Sequence, residues 1–447
     1  MIEVIKSGFY IVPKTKNSLE AIKKYSYRQG SNFDYKIVTS TKVGKDYIKF
    51  PRDIDKLKNV LGSLKIIDKT TKNNLTNFRK SDNLKLRPNQ EIAVNKVIEN
   101  LKNKGDCLLV APCGFGKSFI LPFIVEEINQ KTLIIVDRKF LVEQMSKEFK
   151  HNSNGNYQIV KDKKLDITKD VYITTFQFLH RNADIVQELS KIVGFVIVDE
   201  AHILGAETYR DVLANLNHAY QLFVTATPTR SDGLTELLRD LFGSNEVVGL
   251  NKGLKVQWDI LDLTSWRTKW DGNSFADAYS NIVCNEEFSK YVINLITQLK
   301  KENRQILLYT NYSIVMEYYK LLLEDIGLKV GIINSKVKKS DREEIINNFG
   351  DEELDIIISG VILNKGVSIE RLDTIINLST LTKENLEQLR GRLVREHSTK
   401  QKPLFIDIMF GGVLTKQCKQ RYNDINKLVV KEKDSKRVVK FDKYIAL

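Results

Sequence analysis

The chain of 447 residues has only four cysteines, Cys107, Cys113, Cys284 and Cys418, with no CxxC pair and no metal-ligand spacing. That excludes a disulfide framework and a cysteine-held zinc site, and it fits reduced thiols in a cytosol. No apolar run approaches the roughly 18 residues that span a bilayer, so no membrane partner is expected. The start, MIEVIKSGFY, sets Glu3 and Lys6 close to a short apolar patch and lacks a signal-peptide pattern. A cytoplasmic location is therefore expected. Low-complexity tracts and a convincing nuclease constellation are also absent. What remains is 42% hydrophobic and 28% charged residues, which fits a soluble globular chain of two or three domains.

The net charge of +14 is unevenly placed. Residues 1–85 carry +11, residues 411–447 carry +6, and the middle, 86–410, carries −3. Basic ends suit a polyanion partner, because lysine and arginine that meet phosphates release counterions.

From about residue 86, short apolar runs alternate with amphipathic stretches. CLLV (107–110), LIIV (133–136), VYIT (171–174), FVIV (195–198) and LFVT (222–225) read as buried parallel strands. SFILPFIVEEIN and KFLVEQMSKEFK read as helices between them. The rhythm returns in QILLY (305–309), KVGII (329–333), DIIIS (355–359), TIINL (374–378) and LFIDI (404–408). Two tandem α/β doubly wound parallel sheets follow. A glycine-bearing polar stretch at 245–275 reads as their boundary, and Ser340 as the cap of the helix SDREEIINNFG. Residues 1–80 read as a small α+β domain, with strands in EVIKSGFYIV, YKIVTS and YIKF and helices near 18–28 and 53–61. Domains are thus expected at 1–85, 86–250 and 251–410, followed by a basic tail at 411–447 holding a helix and a strand-like end.

APCGFGKS (111–118) follows a strand and opens a helix, as a phosphate-binding loop does. Gly114 and Gly116 let backbone N–H groups approach phosphate. Lys117 would reach the β- and γ-phosphates and Ser118 would hold Mg²⁺. Ala111 stands where that loop pattern has its first glycine, at the strand end. Pro112, Cys113 and Phe115 complete the cradle. FVIVDEAH (195–202) ends a buried strand in two acids, and carboxyl ends of parallel strands are where such sheets bind ligands. Asp199 would contact Mg²⁺ and Glu200 would orient or deprotonate a water. His202 follows directly and would couple the acids to Thr225 and Thr227 in VTATPTRSDG. In NLEQLRGRLVRE, Gln388, Arg392 and Arg395 fall on one helical face, where two guanidinium groups point to an anion. SWRTKW (265–270) could stack on a base or simply pack between domains.

In this order the motifs resemble superfamily 2 helicases over residues 86–410. LRPNQ (86–90) is similar to the adenine-side motif and APCGFGKS to motif I. VDRKFLVEQ and ITTFQFL resemble strand-contacting motifs, DEAH motif II, TATP motif III, LLYTN motif IV, GVILNKGVSIERLD motif V and QLRGRLVR motif VI. The letters DEAH also suggest RNA helicases, but those carry large domains after motif VI, where a short tail follows here. LRPNQ and TATPTRSDG instead resemble the group that contains RecG, the XPB-type repair helicases and the phage UvsW-type branch-migration helicases. The Lys-, Asn- and Ile-rich composition suits an AT-rich phage genome, hence a host cytoplasm.

The resemblance implies two RecA-like domains, ATP and Mg²⁺ as cofactors, and branched or forked DNA as partner, with recombination or replication proteins nearby. It implies that Gln90 reads adenine and that Arg392 and Arg395 act as arginine fingers with Gln388. Gly366 and Ser368 would lie near the ribose, although many relatives carry an acid in place of Ser368. Arg138, Thr175, Gln177, Thr310 and Asn364 would contact DNA. An RNA helicase or annealing ATPase, and the motor subunit of a restriction complex, remain open alternatives.

Overall fold

The computed structural model describes residues 1–30, 35–112, 115–226, 233–243, 245–249, 254–269, 274–360, 369, 371–394 and 400–440. The chain divides into two compact units, Met1–Asn251 and Lys252–Leu447.

The first unit is built on a seven-stranded sheet. In spatial order its strands are Tyr157–Ile159, Val171–Thr175, Thr132–Val136, Phe195–Asp199, Tyr220–Thr225, Asp106–Val110 and Glu246–Val248, all parallel. Successive residues of one strand feed two separate cores, as pleated strands buried on both faces must. Val196 and Val198 face one core, whereas Phe195 and Ile197 face the other. Helices such as Pro88–Lys104, Lys117–Ile128 and Lys139–Asn152 cover the sheet.

The second unit repeats the plan. Val330–Ile333, Ile356–Ser359, Ile306–Tyr309, Thr374–Asn377, Leu404–Gly412, Gln257–Thr268 and Ser435–Lys440 form a second all-parallel sheet of seven strands. The fold is two RecA-like domains with a small α+β domain at the N-terminus.

The division between Asn251 and Lys252 falls inside the stretch expected as boundary, but that stretch is not all connection: it contains the edge strand Glu246–Val248 and the long strand Gln257–Thr268. Asp259 and Asp262 break the apolar run that marks a buried strand, but Asp259 is fully buried and pairs with Arg437 at 2.5 Å. The basic C-terminal stretch is part of the domain: helix Thr415–Glu432 packs on the second sheet and Ser435–Lys440 completes it. Several of its cations are used internally, since Arg421 pairs with Asp407 at 2.8 Å and Arg437 with Asp259. Ser340 lies inside helix Lys339–Gly350, whose cap residue is Lys338, and bonds Asp341 instead.

The N-terminal domain has five strands in the order Lys42–Val43, Tyr47–Phe50, Tyr10–Pro13, Ile2–Lys6 and Leu64–Asp68. Ser26–Gly30 and Tyr35–Thr39 form a separate antiparallel pair, so the expected helix near 18–28 gives way to a strand at Ser26. The domain is packed directly onto the layers of the first sheet. Phe9 enters their core. Gly8 lies so close that a Cβ there would meet the Leu216 carbonyl at 2.1 Å. Arg52 donates to Ala219 O at 2.8 Å, while Tyr27 and Ser40 donate to the buried Asp240 at 2.5 and 2.8 Å. Lys56 also pairs with Asp240.

Residues 71–80 then run along the first domain, bonded at Thr71, Asn73 and Lys80 and gathered between them by one carboxylate. Asp170, fully buried, accepts from the backbone N–H groups of Thr76, Asn77 and Phe78 and from the Thr76 hydroxyl. Burial alone would raise its pKa, but these donors together hold it below the usual carboxylate value. Such a group stabilises the fold above its unfolded pKa, near 3.9, and loses that contribution as pH falls through the lower folded value. Asp170→Ala should leave several buried N–H groups unpaired and cost about 2–4 kcal/mol in the first unit, read by urea denaturation at pH 7. An unchanged midpoint would show that the segment is anchored elsewhere.

Candidate functional site

The site is built where three neighbouring strands of the first sheet end. Tyr220–Thr225 lies between the strand that leads into the glycine-rich loop and the strand that ends in the two acids. Backbone pairing alone therefore brings residues about 80 to 110 positions apart in sequence to one edge.

Ala111 is fully buried, and its N–H donates to Thr225 O at 2.9 Å. A methyl group is accommodated here as part of the core, so a glycine is not needed. Phe115, also buried, donates its N–H to Pro112 O at 3.2 Å and closes a turn. Gly116 has φ of 87° and caps helix Lys117–Ile128. That left-handed conformation favours glycine, and a Cβ would come within 2.7 Å of Gln90 Nε2. The first N–H groups of the helix lack intrahelical partners, which is the arrangement that receives phosphate.

Lys117 Nζ lies 3.0 Å from Glu200 Oε1. His202 Nδ1 lies 3.3 Å from Glu200 Oε2 and 3.3 Å from Thr225 Oγ1. One chain of contacts thus joins the loop, the acids and the next strand end. Glu200 itself has φ of 51°, a strained conformation for a residue with a Cβ. Strain of this kind persists where the surroundings over-determine it, here through the Lys117 and His202 contacts.

The two acids have opposite electrostatics. Burial pushes the Asp199 carboxyl up to about 6, with the charge of Glu200 adding to the rise and Lys117 opposing it. Burial would also raise Glu200, but Lys117 and His202 outweigh it and hold that carboxyl below its ordinary value. Asp199 Oδ1 is buried with no hydrogen-bond partner among the described residues. A buried orphan carboxylate oxygen, with the Ser118 hydroxyl on the adjoining helix turn, is a donor set that suits a hard cation such as Mg²⁺.

Gln90 is 1% exposed. Its Nε2 donates to Phe115 O at 2.7 Å and its Oε1 accepts from Arg87 N at 3.0 Å, so both ends of the amide hold protein backbone. Arg87 Nη2 also donates to Phe115 O, at 2.8 Å. Sequence reasoning misses this second lock on the loop, although Arg87 stands within the LRPNQ stretch.

The residues expected to touch DNA have different settings. Arg138 is half exposed, stands just before helix Lys139–Asn152 and lies 3.2 Å from Asp137. Gln177 donates to Tyr209 Oη at 2.9 Å and to Asp137 Oδ1 at 3.4 Å. Thr175 and Thr310 are buried, and their hydroxyls accept from the N–H groups of Phe178 and Tyr312. Trp266, partly buried, packs edge-on against Phe288 at 5.9 Å at the margin of the second unit's core. In the second unit, Gln388 and Arg392 sit one turn apart on helix Lys383–Leu393, capped by Thr382. Gln388 Oε1 is buried without a hydrogen-bond partner among the described residues. Cys113, Gly114, Thr227, Asn364, Gly366, Ser368, Arg395 and Trp270 lie outside the described residues.

Residues 83–230 match the family described as type III restriction enzyme, res subunit, and residues 287–397 match the helicase conserved C-terminal domain. The chain is similar to a putative ATP-dependent RNA helicase, L396, of Acanthamoeba polyphaga mimivirus. Identity is 25%, over 76% of this chain and 68% of that protein. It is also similar to the DNA 3'-5' translocase XPB2 of Sulfurisphaera tokodaii, at 24% identity over 76% of this chain and 85% of that protein. In fold it resembles S. cerevisiae Dbp5, solved bound to RNA and ADP BeF3, with a TM-score of 0.53 and 14% identity over 82% of this chain and 96% of that one. The chain belongs to the superfamily 2 helicases and is a nucleic-acid-dependent ATPase. Among the described residues no helix is long and apolar enough to cross a membrane.

The buried Asp199 gives a direct test of the site's electrostatics. Its folded pKa, about 6, lies above the free value, so the folded state binds this proton more tightly. Above pH 6 the ionised form therefore destabilises the fold. Without metal or nucleotide, Asp199→Asn should raise the melting point at pH 7.5, because it removes the ionised form that burial penalises. The gain should shrink as pH falls from about 6 toward 4. A lower melting point for the variant at pH 7.5 would contradict this.

Proposed function

We propose that this helicase is a DNA motor that binds ATP and Mg²⁺ at the strand edge of the first unit and acts on branched or forked DNA. The observation that carries the ATP part is the connected array Lys117–Glu200–His202–Thr225 beside the unpartnered Asp199 oxygen. The backbone N–H groups at Gly116 and Lys117 would receive the phosphates. Asp199 and Ser118 would hold the metal ion, which when bound neutralises charge on the phosphates.

Lys117 would exchange its contact with Glu200 for the β- and γ-phosphates. That exchange removes the cation that keeps Glu200 acidic. Burial then raises Glu200 toward a useful base, at the position where a water is to be oriented. His202 would carry the change to Thr225. Gln90 and Arg87 fix the loop through Phe115, so in this arrangement Gln90 would act on the nucleotide through the loop rather than by touching adenine. Arg392, with Gln388 and Arg395, would stabilise the charge that develops on the transferred phosphoryl group.

DNA as the track is supported by the LRPNQ and TATPTRSDG stretches and by the similarity to XPB2, a DNA translocase. The RNA reading is favoured by the similarity to the mimivirus RNA helicase, and the restriction-motor reading by the match of 83–230 to the restriction-enzyme family. ATPase stimulation and unwinding measured across single-stranded DNA, duplex, fork, Holliday junction and RNA decide among them. Stimulation by forked or four-way DNA is expected, stimulation by RNA alone would replace this reading with the second, and copurification of a nuclease would favour the third. Lys117→Ala should abolish DNA-stimulated ATP turnover; normal turnover in that variant would remove the basis of the proposal.

The basic N-terminal domain would hold duplex arms. Because the domain is packed into the first unit, its removal would expose core, so point changes are the better probe. Lys16, Lys23 and Lys24 are exposed. Replacing all three by alanine should weaken branched-duplex binding and flatten its salt dependence, by about 0.9 in log–log slope for each phosphate no longer neutralised. An unchanged slope would mean that these lysines only solubilise.

A further inference from the structure

Helix Lys383–Leu393 carries, besides Gln388 and Arg392, a buried arginine that the motif reading leaves unexplained. Arg390 is 7% exposed, and it reaches away from the helix into a four-way junction. Its Nε donates to Asp434 Oδ2 at 2.6 Å and its Nη2 to Asp434 Oδ1 at 2.9 Å, a bidentate pair. Its Nη1 lies 3.3 Å from Glu432 Oε2. Asp434 also accepts from Val256 N at 3.1 Å and from Trp258 Nε1 at 3.1 Å. Each carboxylate oxygen therefore has two donors. The side chain of Asp434 is fully buried, and Trp258, also buried, stacks on Phe405 at 4.5 Å. The junction thus ties together the helix of the arginines, the first strand of the second unit and the residues that enter its last strand.

The geometry of an α-helix gives this junction a further consequence. Residues two apart point about 200° away from each other, because each residue turns the helix by about 100°. Arg390 and Arg392 therefore leave the helix on opposite sides. Leu386, Leu389 and Leu393 hold the helix to the core shared with Ile425 and Leu428. An apolar stripe permits small rotations and slides, since it is non-directional. A bidentate pair does not, because two parallel hydrogen bonds fix both distance and angle. The Arg390–Asp434 pair thus sets the rotation and height of the helix, and with them where Arg392 and Gln388 are presented.

We propose that Asp434 is a positioning residue for Arg392: the segment after the last helicase motif sets the arginine that serves ATP hydrolysis. This rests on the reading of Arg392 as a phosphate contact. Asp434 touches no nucleotide. It acts by fixing the helix, so its loss should lower the rate of the chemical step with little effect on ATP capture. A residue that merely stabilised the fold would reduce the amount of active protein and leave the rate constant per folded molecule unchanged.

The test uses the full chain and single-turnover ATP hydrolysis with saturating nucleic acid, at a temperature well below each variant's melting point. Rates are taken per active site. Four proteins are compared: wild type, Asp434→Asn, Arg392→Ala and the double variant. Asp434→Asn should slow hydrolysis about tenfold or more while the KM for ATP changes less than about threefold. Arg390→Lys, which keeps the charge but not the bidentate geometry, should show the same split to a smaller degree. In the Arg392→Ala background Asp434→Asn should have no further effect on rate, because both changes act through one group. Normal hydrolysis in folded Asp434→Asn, with Arg392→Ala impaired, would overturn the positioning role alone. Multiplicative losses in the double variant would overturn it as well. Normal hydrolysis in Arg392→Ala would sink the phosphate-contact reading and this proposal with it. Should Asp434→Asn fail to fold, Arg390→Lys alone decides, and an unchanged rate in it would also overturn the proposal.

Discussion

Two adjacent acids end a buried strand, and the rest of the first unit is organised around keeping them there. Asp199 and Glu200 cannot both carry charge in that setting without a compensating cation. Lys117 supplies it to Glu200, at 3.0 Å, and Asp199 is left with a raised pKa and an oxygen that no described donor meets. The loop, the helix it opens and the strand that ends at Thr225 all converge on this imbalance. The arrangement suits a ligand that brings a cation to one acid and phosphates to the lysine, and the strain it carries is the expected compromise at a functional site.

The N-terminal domain follows a different logic. Its exposed lysines suit a polyanion, yet its attachment is made of buried polar contacts. Asp240 gathers Tyr27, Ser40 and Lys56, while Arg52 and Gly8 lie against the backbone at Leu216–Ala219. Contacts of this kind have fixed geometry. They join the domain to helix Thr235–Phe242 at Asp240 and, separately, to the backbone at Leu216–Ala219.

How much of this is legible beforehand depends on sequence distance. Strands whose both faces are buried are continuous apolar runs, and those stand out. Gln257–Thr268 does not, because the acid that interrupts it is neutralised by Arg437, far along the chain. The loop, the acids and the helix of the arginines each fit within a short window, so residue types and spacing reveal them. Arg87 and Gln90 are partly visible: the stretch that holds them stands out, but the bonds to Phe115 O are a tertiary fact. The Arg390–Asp434 pair has no local signal at all. An arginine beside other arginines reads as part of a basic face until its distant partner is placed.

That distance has a consequence for how the protein is made. Gln257–Thr268 is among the first parts of the second unit to be synthesised, and its neighbour Ser435–Lys440 is the last strand of the sheet. Asp259 and Arg437 are separated by 178 positions. During translation the early strand must wait, with an acid destined for the interior still hydrated, until almost the whole unit has been produced. The outer edge of this strand is completed only by residues made late, so a chain stopped short of Ser435–Lys440 would leave Asp259 without its arginine and the helix of Arg392 without its anchor.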